Sequence, residues 1–99
     1  MKRADILNTA NKIVNGERQE DYGSPEDNFT KIGVLWSTYL GVAITAEDVA
    51  AMMILLKTAR ISSGQTKVDN WVDIAGYAAC GGEIQTRDKD EAPEHPEGR

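Results

Sequence analysis

The chain has 99 residues, a net charge of −5 at neutral pH and a single cysteine, Cys80. That length allows one domain with a modest core, a size at which oligomerisation often adds stability. The acidic balance is the opposite of the basic stripe that a DNA-binding domain carries, and one cysteine forms no intramolecular disulfide, which fits a reducing compartment.

The longest apolar run, residues 49–56, is too short to cross a bilayer. Lys2 and Arg3 at the N-terminus are not followed by the continuous apolar run of a signal peptide. The expectation is a cytoplasmic protein with neither a membrane nor a DNA partner.

Taken in order, Ile6, Leu7, Ala10, Ile13 and Val14 recur at helical spacing and predict a first helix over residues 3–15, with Gly16 placed for a left-handed C-terminal cap. Residues 17–24 fit neither helical nor strand periodicity and predict a solvated connection. A tyrosine in such a loop, Tyr22, usually docks onto something. Ser24-Pro25-Glu26-Asp27 is a helix start: a capping hydroxyl, a proline suited to the first turn, and acids that favour the positive helix end. The second helix runs to Leu40 and carries Phe29, Ile32, Leu35, Trp36, Tyr39 and Leu40 on a heavy apolar face.

Thr45 and Asp48 are spaced for a capping box at the start of a third helix that runs to Ser62. Its middle is apolar on every side, the pattern of a helix surrounded by others, so a central buried rod is expected. Its ends are charged, Glu47 and Asp48 at one, Lys57 and Arg60 at the other. The fourth helix is expected from Val68 or Asp69 to Gln85, with small inner positions (Ala75, Gly76, Ala79, Gly81). Glycines there cost about 1 kcal/mol each relative to alanine, which close approach of another helix, or a self-associating face, would offset. The last stretch is charged, proline-containing and nearly free of apolar residues, and predicts a disordered acidic tail in which His95 is solvated. The fold expected is all-α, a four-helix bundle over residues 1–85 with a tail over 86–99, and a homo-oligomer.

Short connections bring the end of the third helix beside the start of the fourth. Lys57 and Arg60 share one helical face, and Asp69 and Asp73 share another, with Asn70 adjacent. Each taken singly is an ordinary end charge stabilised by the helix dipole. Asp73, however, lies among Trp71, Val72, Ile74 and Ala75, where an inward carboxylate needs a partner. Carboxylates from two helices of a bundle suit Mg²⁺, Mg²⁺ is commonly shared with phosphates, and Lys and Arg suit the same phosphates. The ligand class this indicates is a nucleotide or another phosphorylated small molecule.

The succession of a D-Y-G loop (Asp21-Tyr22-Gly23), a helix carrying K-x-x-R-I (Lys57, Arg60, Ile61) and then D-x-x-x-D-I-x-x-Y (Asp69, Asp73, Ile74, Tyr77) resembles small phage and prophage proteins of the MazG-like, nucleotide-modification-associated type. These are related to the all-α NTP pyrophosphatases. The resemblance implies a Mg²⁺-dependent site that binds a nucleoside triphosphate and hydrolyses it to monophosphate and pyrophosphate, in an oligomer within the bacterial host cytoplasm. It assigns Glu47, Asp48, Asp69 and Asp73 to the metal, with Asp48 and Asp73 as the catalytic carboxylates. Lys57, Arg60, Asp21, Tyr22, Asn28 and Asn70 go to the substrate, with Tyr22 or Trp36 as a base-stacking ring and Asn28 as a hydrogen-bonding amide. The sequence departs from the family pattern at Ala51, where a third acid is expected, and at Asn70, where E-x-x-D becomes Asn70-x-x-Asp73. A rival expectation is a non-catalytic phage accessory protein that binds a host protein or a signalling nucleotide. A third is a helical oligomerisation module whose polar patch only orients helices.

Overall fold

The computed structural model describes residues 1–16 and 24–87. They form four helices, α1 (Arg3–Asn15), α2 (Pro25–Leu40), α3 (Ala46–Ser62) and α4 (Asp69–Arg87), with no strand among the described residues. The all-α, four-helix architecture expected from the sequence is the one observed.

The helix boundaries follow from the capping residues. Ser24 is extended and its Oγ accepts a hydrogen bond from the Asp27 amide at 3.1 Å, with Pro25 at the first helical position. At the other end of α2, Gly41 takes the left-handed conformation (φ 74°) and its N–H donates to the Ser37 carbonyl at 2.8 Å. The Ser37 hydroxyl then braces the turn into α3, accepting from the Ile44 amide at 2.7 Å. Thr45 and Asp48 complete a reciprocal capping box, each side chain accepting from the other's amide at 3.0 Å.

Gly16 departs from its expected left-handed cap: the chain leaves α1 at φ −110°. A glycine is still required there, because a Cβ would collide with the Lys12 carbonyl oxygen. The fourth helix also extends two residues beyond the expected Gln85. Arg87 forms an ion pair with Glu26 of α2, which ties the last turn to the bundle. The expected tail from 88 onward, His95 included, lies outside the described residues.

α4 is the spine. It packs along α3 and α1 and touches α2, which lies mainly on α3. α3 and α4 run antiparallel, since Glu47 meets Gln85 and Lys57 meets Asp73. The core joins Phe29, Val49, Ala50, Cys80 and Ile84, with Val14, Ile32, Trp36, Met53 and Tyr77 packed against it. The small residues of α4 have the expected explanation at two positions. A Cβ on Gly81 would lie 3.1 Å from the Ala50 Cβ, and one on Gly76 would lie 3.2 Å from Val14 Cγ1. Helix proximity at these points offsets the conformational cost of the glycines.

The expectation of a buried middle for α3 is corrected. Val49 and Ala50 are buried, but Ala51, Met52, Leu55 and Leu56 are exposed, Leu55 by 65%. Two helices, α2 and α4, pack along α3, and two neighbours leave the opposite side of a helix uncovered.

Candidate functional site: a four-helix cleft beside an ion pair

A half-open cleft of about 300 Å³ is lined by all four helices. α1 contributes Ala10, Ile13 and Val14; α2 contributes Pro25, Asn28, Phe29 and Ile32; α3 contributes Met53; and α4 contributes Val72, Asp73, Gly76, Tyr77 and Cys80. The spacing explains the set, because residues three and four apart share a helix face. Asp73, Tyr77 and Cys80 form one row on α4, and Pro25, Asn28, Phe29 and Ile32 form another on α2. The rings of Phe29 and Tyr77 lie 6.0 Å apart at 40°, within the usual range for an aromatic pair. An apolar wall with a few polar groups and a volume at the lower end of small-molecule sites fits a ligand pocket.

The charged feature of the cleft is Asp73. Its Oδ2 lies 2.9 Å from Lys57 Nζ, with the two side chains 25% and 12% exposed. Lys57 is four residues after Met53 and so projects from the same side of α3 toward α4. Both charges have lost much of their water, so each depends on the other for compensation. Of the four residues expected to form a polar patch, the structure brings Lys57 and Asp73 together. Asp69 and Arg60 are exposed, one turn before Asp73 and one turn beyond Lys57. Asn70 is buried, and its Nδ2 donates to Gln65 Oε1 at 3.2 Å, holding the α3–α4 connection.

Glu47 and Asp48 are at the far end of α3. At 1.5 Å per residue, Asp48 stands about 14 Å along the helix from Lys57. Each has a local partner: Asp48 caps Thr45, and Glu47 Oε2 accepts from Gln85 Nε2 at 3.0 Å. Among the described residues no three acidic, histidine or cysteine side chains converge on a point where a metal ion could sit. The four acids assigned to Mg²⁺ are therefore split, Asp69 and Asp73 at one end of α3 and Glu47 and Asp48 at the other. A dedicated all-protein Mg²⁺ cage does not fit one chain. Mg²⁺ that keeps waters and shares phosphates needs one or two carboxylates, and Asp73, with Asp69 one turn away, supplies that number. Asp21 and Tyr22 lie outside the described residues.

Cys80, Met53 and Ile13 line the cleft without any site signal in the sequence, and Tyr77 joins them as the last residue of the D-x-x-x-D-I-x-x-Y run, which assigned it no role. The Asp73–Tyr77–Cys80 spacing was the available signal, but cleft rows and core rows share the same period. Cys80 is a buried thiol on the cleft wall. Burial pushes its thiol up, and the nearby Glu83 carboxylate adds to the rise, so it is a poor nucleophile at neutral pH.

Residues 5–85 match the family described as "Domain of unknown function (DUF6378)", and the chain belongs to that family. It is similar to the "Gene 55 protein" of Mycobacterium phage L5, 46% identical over 92 residues that make up 92% of this chain and 59% of that protein. It is also similar to the "Gene 55 protein" of Mycobacterium phage D29, 44% identical over 75 residues, 76% of this chain and 50% of that protein. The chain thus spans between half and three fifths of the length of these phage relatives. No solved structure matches it. No described helix is long and apolar enough to cross a membrane.

Proposed function

We propose that this DUF6378 chain binds a nucleotide, or a phosphorylated small molecule of similar size, in the four-helix cleft, with Mg²⁺ entering alongside the phosphates. The observation that carries the reading is that Asp73, on the wall of a mostly apolar cleft, is ion-paired with Lys57 beside it. An apolar lining with Phe29 and Tyr77 suits a base or sugar, and the Asn28 amide offers both a donor and an acceptor for its edge. The phosphates go to the polar wall, where Lys57 supplies a positive charge and Arg60, one turn on, a second. Asp73 supplies a carboxylate oxygen to Mg²⁺ carried by those phosphates. The resemblance to MazG-like proteins supports the same ligand class.

Binding is favoured over turnover. Hydrolysis to monophosphate and pyrophosphate would require the site to orient an attacking water. Within one chain Asp48, assigned to that chemistry, is occupied as a capping residue about 14 Å away along α3. This placement favours the nucleotide-binding half of the rival reading, a non-catalytic accessory protein that binds a host protein or a signalling nucleotide.

Titration of nucleoside mono-, di- and triphosphates against thermal stability, with and without Mg²⁺, tests the proposal. A ligand that binds only the folded chain raises stability by about 2.7 kcal/mol at a hundred times its Kd. Asp73→Asn is expected to remove the Mg²⁺ dependence while leaving Mg²⁺-free binding equal or tighter, because Lys57 is released to the phosphate. No stabilisation by any nucleotide would sink the proposal. Pyrophosphate release that disappears in Asp73→Asn would move the reading from binder to enzyme.

A further inference from the structure

α3 ends in a complete Schellman turn. Gly64 is left-handed (φ 97°), its N–H donates to the Ile61 carbonyl at 3.0 Å, and the Gln65 N–H donates to the Arg60 carbonyl at 3.2 Å. The turn fixes Gln65 against the end of α3. Gln65 Oε1 then accepts from Asn70 Nδ2 at 3.2 Å, reaching across the link to the first turn of α4. Asn70 is 4% exposed, the one buried polar residue among those described. An amide stripped of its water depends on the bond it makes inside.

The same two helices are tied twice. Arg60 is three residues after Lys57 on α3, and Asp73 is three after Asn70 on α4. The Lys57–Asp73 ion pair and the Gln65–Asn70 bond therefore lie about 4.5 Å apart along the helices, at 1.5 Å per residue. One tie lets a helix turn about its contact point. Two ties almost a turn apart set both the separation and the rotation of α4 against α3.

We propose that Gln65 and Asn70 are positioning residues, which hold α4 in the rotation that presents Asp73 to Lys57 and to the cleft. Neither residue lines the cleft, so both act through Asp73 and do not touch the ligand. A neutral amide suits the task. A carboxylate at position 70 would share a helix face with Asp73, repel it and compete with it for Lys57, which gives the departure from E-x-x-D at this position a physical reason. The inference rests on the proposed function only for what the held pair binds, since the two ties are observed without a ligand.

The test substitutes Gln65, which is exposed, and leaves the buried Asn70 in place. Gln65→Met removes the acceptor and keeps the side-chain length. Gln65→Glu keeps an acceptor oxygen. Val49→Ala opens the core and alters neither tie. The readout is the side-chain ammonium resonance of Lys57 in the isotope-labelled chain, assigned by its loss in Lys57→Met. An ammonium held against a carboxylate and mostly buried exchanges its protons slowly enough to be seen, whereas a solvated one does not. The resonance is expected in the parent, in Gln65→Glu and in Val49→Ala, and is expected to vanish in Gln65→Met, which also binds nucleotide at least about twofold more weakly. A resonance undiminished in Gln65→Met, lost equally in Val49→Ala, or missing from the parent overturns the inference. The expected pattern in a chain that binds no nucleotide supports the positioning role and contradicts the proposed function, so the two fail separately.

Discussion

The two ends of α3 carry equivalent signals in sequence and do different work in the fold. At the N-terminal end, Glu47 and Asp48 are absorbed by local structure, one bonded to Gln85 of α4 and the other closing the capping box with Thr45. At the C-terminal end, Lys57 turns inward and meets Asp73 on the wall of a cleft that all four helices line. The difference arises from which neighbour each charge finds. Asp48 sits in the first turn, where free amides attract a carboxylate. Lys57 is held inward by its position one turn after Met53, facing α4 across a partly dry contact. A charge that the helix end already uses is a weak candidate for chemistry, and a charge pair with one member on the wall of a cleft is a stronger one.

The largest effect expected from breaking this contrast is at Lys57. Lys57→Met leaves Asp73 partly buried without its counter-ion and is expected to cost about 1–3 kcal/mol, below the 3–5 kcal/mol of a fully buried pair because Asp73 keeps some solvent. Nucleotide binding should fall at the same time, and urea melts read beside ligand titrations separate the two losses. At the opposite end, Asp48→Ala removes one half of the capping box and is expected to cost about 1 kcal/mol with nucleotide affinity unchanged. A loss of affinity in that variant would show that the two ends act together after all. Smaller again is Glu47→Gln, which keeps hydrogen-bonding capacity toward Gln85 on an exposed surface and is expected to stay within about 0.5 kcal/mol of the parent.

The smallest effect concerns Cys80 on the cleft wall. Its folded pKa is raised, so the native thiol holds its proton where the unfolded thiol, with an ordinary value of 9.0, gives it up. The contribution to stability is complete below about pH 9 and declines as pH rises past that value. Chemical denaturation of Cys80→Ala against the parent across the alkaline range should show the difference narrowing, and a pH-independent difference would count against it.

Much of the fold was legible in the sequence because its boundaries are set by short-range chemistry. Ser24-Pro25, Gly41 and Thr45 place the ends of α2 and the start of α3 through hydrogen bonds spanning three or four residues. Gly81 and Gly76 announced close helix contacts before the contacting residues, Ala50 and Val14, were known. Two features were less legible. The run through residues 49–56 shows that α3 is apolar all round, but periodicity does not say whether the second apolar side meets the same chain or another molecule. The cleft was hidden for a related reason. Asp73 stood out as a carboxylate among apolar residues, whereas Tyr77 and Cys80 have the same spacing whether a row faces a cavity or a filled core. The left-handed exit expected at Gly16 failed because that glycine answers a collision with the Lys12 carbonyl, a constraint the sequence position does not distinguish from a cap.

The central claim is that the cleft beside Lys57 and Asp73 receives a phosphorylated ligand. Amide chemical shifts of the isotope-labelled chain, followed during titration with a nucleoside triphosphate and Mg²⁺, test it most directly. The account predicts saturable shifts concentrated at Asn28, Phe29, Lys57, Asp73, Gly76 and Tyr77, with Glu47 and Asp48 nearly still. Shifts confined to the Glu47–Asp48 end, or a spectrum that nucleotide leaves unchanged, would contradict it.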